Sequence, residues 1–217
     1  MTPAERPRVY GAPYSVYVRA VRLVLEEKGV NYDLVPVDIF ASGGPPADYL
    51  ARHPFGKIPA FEHAGFSLYE AEAITRYVDE AFSGPRLQPE DIRARARMTQ
   101  IMSILDSYVY RTLIWDIYVE RVARPARGIL TDETKVAAAL PRAEICLRAL
   151  SDLMGGSLWL AGAALTLADL HAAPMMALFS HCPEAVELLD HEPNLIRWWD
   201  RLRTRPSFSR TEVPTAT

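Results

Sequence analysis

The first eighty residues alternate short apolar runs with helical stripes. Arg8-Val9-Tyr10 reads as a short strand. From Val16 to Lys28 the apolar positions Val18, Val21 and Leu25, with Leu23 and Val24 beside them, line one face of a helix that Gly29 stops. Tyr32 to Ile39 alternates as a second strand, and Ala47 to Ala51 makes a helical turn. Ile58 to Glu62 and Phe66 to Tyr69 flank His63-Ala64-Gly65 as the arms of a hairpin, and Glu70 to Phe82 follows as a helix.

The second half carries no comparable strand signal. Ser83-Gly84-Pro85 through Pro89 has the composition of a linker. Beyond it, Asp91 to about Val122 reads as one long helix. Asp132 to Met154 reads as another, which Pro141 bends or splits. Thr166 to Ser180, Glu184 to Leu189 and Asn194 to Arg203 complete the helices, before Pro206 and a polar tail. The fold class is therefore α/β plus all-α. A thioredoxin-like N-terminal domain (βαβαββα) occupies 1–83, a linker 84–90, and an all-helical C-terminal domain 91–217.

Composition narrows the picture. At 217 residues and 24.3 kDa the chain has ample length for a packed core. A formal net charge of -3 offers no electrostatic attraction for nucleic acid or an anionic membrane, so neither is expected as a partner. Met1 to Arg8 is polar and lacks an apolar core segment, so no secretory signal is expected. Leu158 to Phe179 is long enough to span a bilayer. It holds Asp169, His171 and Pro174, however, and a buried core helix explains it better. Cys146 and Cys182 are expected as reduced thiols of a cytoplasmic protein. The five histidines are scattered without metal-ligand spacing, so no metal is expected.

Three groups carry candidate chemistry, each with a plainer structural alternative. Ser15, at the strand-to-helix handover, is placed to cap the helix. The same position suits binding of an anion or thiolate. Ile58-Pro59 is either a cis bond or an ordinary edge-strand proline. Glu70 opens a helix, where a carboxylate favours the helix dipole or accepts from a ligand ammonium. Thr166-x-x-Asp169 has the spacing of a capping box. Tyr108, Tyr110, Trp115 and Tyr118 crowd one helix, as core or interface packing or as a pocket. Arg111 beside them is a substrate-steering or a solvated charge.

In combination, these residues resemble the glutathione transferases, most nearly their serine-type classes such as phi and theta. The resemblance rests on Ser15 with Arg19 and on Leu25-Glu26-Glu27-Lys28-Gly29. It continues through His53-Pro54-Phe55-Gly56-Lys57-Ile58-Pro59-Ala60-Phe61, Trp159-Leu160-Ala161-Gly162, Leu165-Thr166-Leu167-Ala168-Asp169 and Pro206-Ser207-Phe208. It implies that Ser15 donates to the glutathione sulfur and favours its thiolate. Ile58, before a cis Pro59, would offer its backbone to the cysteinyl residue. Glu70 and the Ala71 N–H would face the γ-glutamyl end, with Lys57 in reach of a carboxylate. Tyr110 and Trp115 would line the pocket for a small electrophilic co-substrate.

The resemblance further implies a homodimer, with glutathione as co-substrate. Tyr10 and Tyr14 keep a tyrosine-type variant open. Two departures stand out. Ala71 replaces the serine that commonly meets the γ-glutamyl carboxylate, and the loop from Ser42 to Ala47 holds no basic residue. Both favour the alternative of a non-catalytic carrier on the same fold.

Overall fold

The computed structural model describes residues 6–212. Most of the polar N-terminal stretch and the end of the tail lie outside the described residues. The chain forms two compact units. One runs up to Arg86 and resumes at Arg205; the other is Leu87–Thr204.

The first unit opens with β1 (Arg8–Tyr10), α1 (Val16–Glu27), β2 (Asp33–Val35), α2 (Ala47–Leu50), β3 (Ala60–His63), β4 (Phe66–Tyr69) and α3 (Ala71–Ala81). The sheet order is β2-β1-β3-β4, with β1 parallel to β2 and the other pairs antiparallel. The expected second strand shrinks from eight residues to three. Its partner β1 offers only Arg8, Val9 and Tyr10 for pairing, so nothing holds Pro36 to Ile39 in a ladder. β3 starts at Ala60 rather than Ile58, since Pro59 has no N–H to give to a ladder. The core is the apolar face of α1 (Val18, Val21, Leu25) against Val9, Phe61, Ile74 and Val78, all fully buried.

A buried ion pair closes the far end of this unit. Lys28 Nζ, just past α1, reaches Asp79 Oδ1 at 3.1 Å. It also donates to the backbone oxygens of Asp79 at 2.9 Å and Pro85 at 3.1 Å. Both side chains are 3% exposed. Removing Lys28 takes away the opposite charge that buried Asp79 faces. Lys28→Met is expected to lower stability by about 3–5 kcal/mol in urea denaturation. A loss under about 1 kcal/mol, as for a surface pair, would contradict this.

In the second unit α4 (Ile92–Ile104) continues directly into a wider, π-type helix over Leu105–Ala123, then a single tight turn at Pro125–Arg127. There follow α5 (Glu133–Met154), α6 (Leu167–Phe179), α7 (Pro183–Asp190) and α8 (Pro193–Arg203). Pro141 sits inside α5 without splitting it. Asp91 caps α4 through Ala94 N–H at 2.9 Å, and Asp132 caps α5 through Lys135 N–H at 3.0 Å. Two buried acids of the π-type helix are neutralised from α5. Lys135 Nζ lies 2.8 Å from Glu120 Oε1, and Arg142 Nη2 lies 3.0 Å from Asp116 Oδ2.

Asp169 is fully buried at the start of α6. Its carboxylate accepts from Leu160 N–H at 2.8 Å, Thr166 N–H at 2.7 Å, Thr166 Oγ1 at 2.8 Å and Trp198 Nε1 at 2.8 Å. The capping box read from the sequence is present, and the same acid also ties in the Trp159 loop and α8. Cys146 and Cys182 are buried free thiols. No helix among the described residues is long and apolar enough to cross a membrane.

The chain then returns to the first unit as α9 (Pro206–Arg210), the last regular element among the described residues. By its sequence this segment reads as part of a polar tail, at the end of the helical half. Its anchors are charges on α1. Arg205 makes a two-pronged contact with Glu27 at 2.7 Å, and Arg19 donates to the Phe208 carbonyl at 3.2 Å with its guanidinium over the Phe208 ring. Burial pushes the Glu27 carboxyl up, but Arg205 and Ser207 outweigh this and hold it below the ordinary range.

Candidate active site

The ladder registers bring the sequence-predicted groups of the first unit to one end of its sheet. Ala60 pairs with Tyr10 on one side and with Tyr69 on the other. The exit of β1 toward Ser15, the entry of β3 at Ile58-Pro59 and the exit of β4 at Glu70-Ala71 therefore lie side by side. Gly11 makes this approach close: a Cβ there would lie 2.4 Å from Val18 Cγ2 and 3.2 Å from Ile58 Cβ. A bare backbone is what lets Ile58 reach the loop that carries Ser15.

Ser15 is half-buried and caps α1. Its Oγ accepts from Val18 N–H at 3.4 Å, and its carbonyl accepts from Arg19 N–H at 2.9 Å. The cap uses one lone pair of the hydroxyl and leaves its proton available. The structural and functional readings of Ser15 are thus compatible in one geometry.

The Ile58–Pro59 bond is cis. Ile58 is buried, and its N–H makes no hydrogen bond to any described residue. Lys57 is exposed, and Pro59 is buried. Glu70 is exposed and sits at φ 69°, ψ 118°, one of two described non-glycine residues with positive φ. Such a conformation costs of order 1–3 kcal/mol and persists where surrounding structure imposes it. Its side chain makes no capping bond to α3, so the first-turn N–H groups of that helix are free for water or a ligand. Ala71 is the first residue of α3 and is buried.

Three further residues, to which the sequence alone assigns no role, border this end of the sheet. His53 is buried, with Nδ1 unpartnered and its ring 4.9 Å from that of Tyr69. Burial lowers its pKa, opposed by Glu70 and assisted by Lys57, so the ring is neutral at pH 7. Tyr49 is buried on α2 and donates from Oη to the Lys57 carbonyl at 2.6 Å. Burial raises its phenol to about 12. Phe40 is exposed and stacks on Tyr14, the neighbour of Ser15, with ring centroids 6.5 Å apart. His53 opens the motif that runs to Phe61, whereas no local pattern marks Tyr49 or Phe40.

Tyr10 hydrogen-bonds Glu62 Oε2 at 2.6 Å and lies under the Arg52 guanidinium. Its hydroxyl is engaged on the sheet, which removes it from the tyrosine-type alternative. Tyr110 and Trp115 lie in the second unit, on the π-type helix, with perpendicular rings 6.5 Å apart. Burial pushes the Tyr110 phenol up, and a hydrogen bond from Trp115 opposes it. Arg111 Nε lies 3.0 Å from buried Asp116, while 67% of the Arg111 side chain is exposed. Among the described residues no group of three or more His, Cys, Asp or Glu could hold a metal ion.

Known proteins resemble this chain over most of its length. The N-terminal domain profile of glutathione S-transferase matches residues 9–86, and its C-terminal domain profile matches residues 107–206. The chain is 32% identical over 214 residues to the probable glutathione S-transferase GSTF1 of Oryza sativa subsp. japonica, covering 97% of this chain and 95% of the relative. The crystal structure of glutathione transferase F7 from Populus trichocarpa superposes with a TM-score of 0.84 at 28% identity, covering 94% of this chain and 97% of that one. Glutathione S-transferase I from mais, solved in complex with an atrazine glutathione conjugate, superposes equally well at 0.84 and 27% identity, covering 95% and 96%. The chain belongs to the glutathione S-transferase family.

Proposed function

We propose that the protein is a glutathione transferase. Glutathione binds at the β1–β3–β4 end of the first unit, and its thiolate attacks a small electrophile. The observation that carries this reading is the convergence of unspent donors: the Ser15 hydroxyl proton, the Ile58 N–H and the uncapped first turn of α3.

Each donor suits one part of the tripeptide. The Ser15 proton points its partial charge at the sulfur and, with the α1 N-terminus, favours the thiolate over the thiol. Ile58 N–H donates to the cysteinyl carbonyl. The α3 N-terminus meets the γ-glutamyl carboxylate while Glu70 accepts from the γ-glutamyl ammonium. Lys57, exposed beside them, is in position for a carboxylate. The thiol proton leaves to solvent. The thiolate forms a C–S bond with the electrophilic carbon, and the leaving group departs with its bonding pair. The protein lowers the barrier by stabilising the anion and positioning it, with no covalent enzyme intermediate. Tyr110 and Trp115 of the second unit are the proposed wall for the apolar co-substrate. A cytoplasmic homodimer completes the reading.

Relatives solved with glutathione conjugates support this reading over that of a carrier. Calorimetric titration with glutathione tests it, together with conjugation of a generic aryl halide. Binding at millimolar concentration or better and turnover are expected; no binding would refute the proposal. Ala71 leaves the γ-glutamyl carboxylate one hydroxyl donor short. Ala71→Ser is therefore expected to tighten glutathione by roughly tenfold, the value of a hydrogen bond to a charged group. Weaker binding in the variant would place the γ-glutamyl end elsewhere.

A further inference from the structure

We infer that Tyr49 is a positioning residue of the glutathione site: its hydroxyl holds the Lys57 carbonyl and so aims the Ile58 N–H, at the other end of the same peptide, toward the bound tripeptide. This rests on the binding site proposed above.

The geometry is that of one rigid peptide unit. The Lys57 C=O and the Ile58 N–H belong to a single planar group, and in a trans peptide they point in opposite directions. The cis bond is the next one along, Ile58–Pro59. Tyr49 Oη grips the carbonyl end at 2.6 Å, from a side chain only 3% exposed. The N–H end has no partner among the described residues. One end of the peptide is thus fixed to the protein interior and the other is left unspent. A donated hydrogen bond at the carbonyl also polarises the amide and strengthens its N–H as a donor, by about 10–30%.

The rest of the segment holds Tyr49 and this peptide in register. The Tyr49 carbonyl accepts from Arg52 N–H at 2.8 Å and His53 N–H at 3.1 Å. The His53 carbonyl then accepts from Gly56 N–H at 2.9 Å, in a turn where Gly56 has φ 62°. Packing alone does not call for the hydroxyl, since a phenylalanine would fill the same space. Burial keeps the phenol protonated throughout the physiological range, so the donor is always present.

Tyr49→Phe removes that hydroxyl and nothing else. The N–H of Ile58 contacts substrate and transition state alike, so its misplacement is expected to raise the KM for glutathione while kcat at saturation changes by less than about twofold. Glutathione affinity by calorimetry is expected to fall about three- to tenfold, the effect of one hydrogen bond. γ-Glutamylcysteamine lacks the cysteinyl carbonyl and is expected to bind native protein and variant alike.

A variant that binds glutathione as the native protein does would overturn the inference. An equal loss for both ligands would overturn it too, since that is the mark of general damage. A third readout needs no variant: the Ile58 amide proton of the native protein is expected to move downfield on saturation with S-methylglutathione. An unmoved Ile58 amide in a protein that binds the ligand overturns the Ile58 contact and, with it, the role of Tyr49. No binding by the native protein overturns the site itself.

Discussion

Replacing Ser15 by alanine is expected to lower conjugation by roughly tenfold to somewhat over a hundredfold, the loss of a hydrogen bond to a charged sulfur. The same residue caps α1, so Ser15→Ala is also expected to cost about 0.5–2 kcal/mol of stability. Two further substitutions separate the roles. Ser15→Thr keeps both the cap and the donor, and should retain much of the activity. Ser15→Asp keeps the cap, because a carboxylate accepts from the Val18 N–H as the serine oxygen does. It removes the proton and sets a negative charge beside the thiolate. Stability near native with activity at or below that of Ser15→Ala is the expected outcome, read by urea denaturation and aryl halide kinetics. An active Ser15→Asp would mean that the cap alone matters.

Asp169→Ala is expected to cost the most in stability. Four donors lose their acceptor at once, and all are buried with it: two backbone N–H groups, the Thr166 hydroxyl and the Trp198 indole. Each buried donor left unsatisfied costs about 1–3 kcal/mol. The penalties do not add fully, because local opening lets water reach some of them, but a total above about 4 kcal/mol is expected. That is a large share of the ~5–15 kcal/mol that holds a typical domain together. Asp169→Asn keeps one acceptor oxygen but turns an NH2 toward donors, so it should be intermediate. A loss near 1 kcal/mol for Asp169→Ala, as for a surface cap, would show that the carboxylate is not the hub of α6, α8 and the Trp159 loop.

The sequence was informative where structure is local. The stripe of Val18, Val21 and Leu25 gave α1 to within one residue, and the turn at His63-Ala64-Gly65 gave the hairpin. Ser15 as a cap and Thr166 with Asp169 as a box were also legible, because capping is decided within one turn. What stayed hidden depends on partners far along the chain. β2 is short because β1 is short, which its own alternation does not reveal. α9 exists as a docked element because Arg205 finds Glu27 and Phe208 finds Arg19, both nearly 180 residues or more away. Tyr49 looks like an aromatic of a short helix until Lys57 is placed beside it. The positive φ of Glu70 carries no sequence mark, since the usual signal for that conformation is glycine.

The central claim is that this protein holds glutathione as a thiolate with the help of Ser15. The most direct measurement is an ultraviolet difference titration of the bound thiol, following thiolate absorbance against pH in the native protein and in Ser15→Ala. The free thiol has an ordinary value of about 8.5. In the native protein the bound thiol is expected to titrate one to two units lower, each unit representing ~1.4 kcal/mol of preference for the anion. In Ser15→Ala most of that shift should disappear. A bound thiol that titrates at its free value in the native protein, or one whose shift survives the loss of Ser15, would contradict the account.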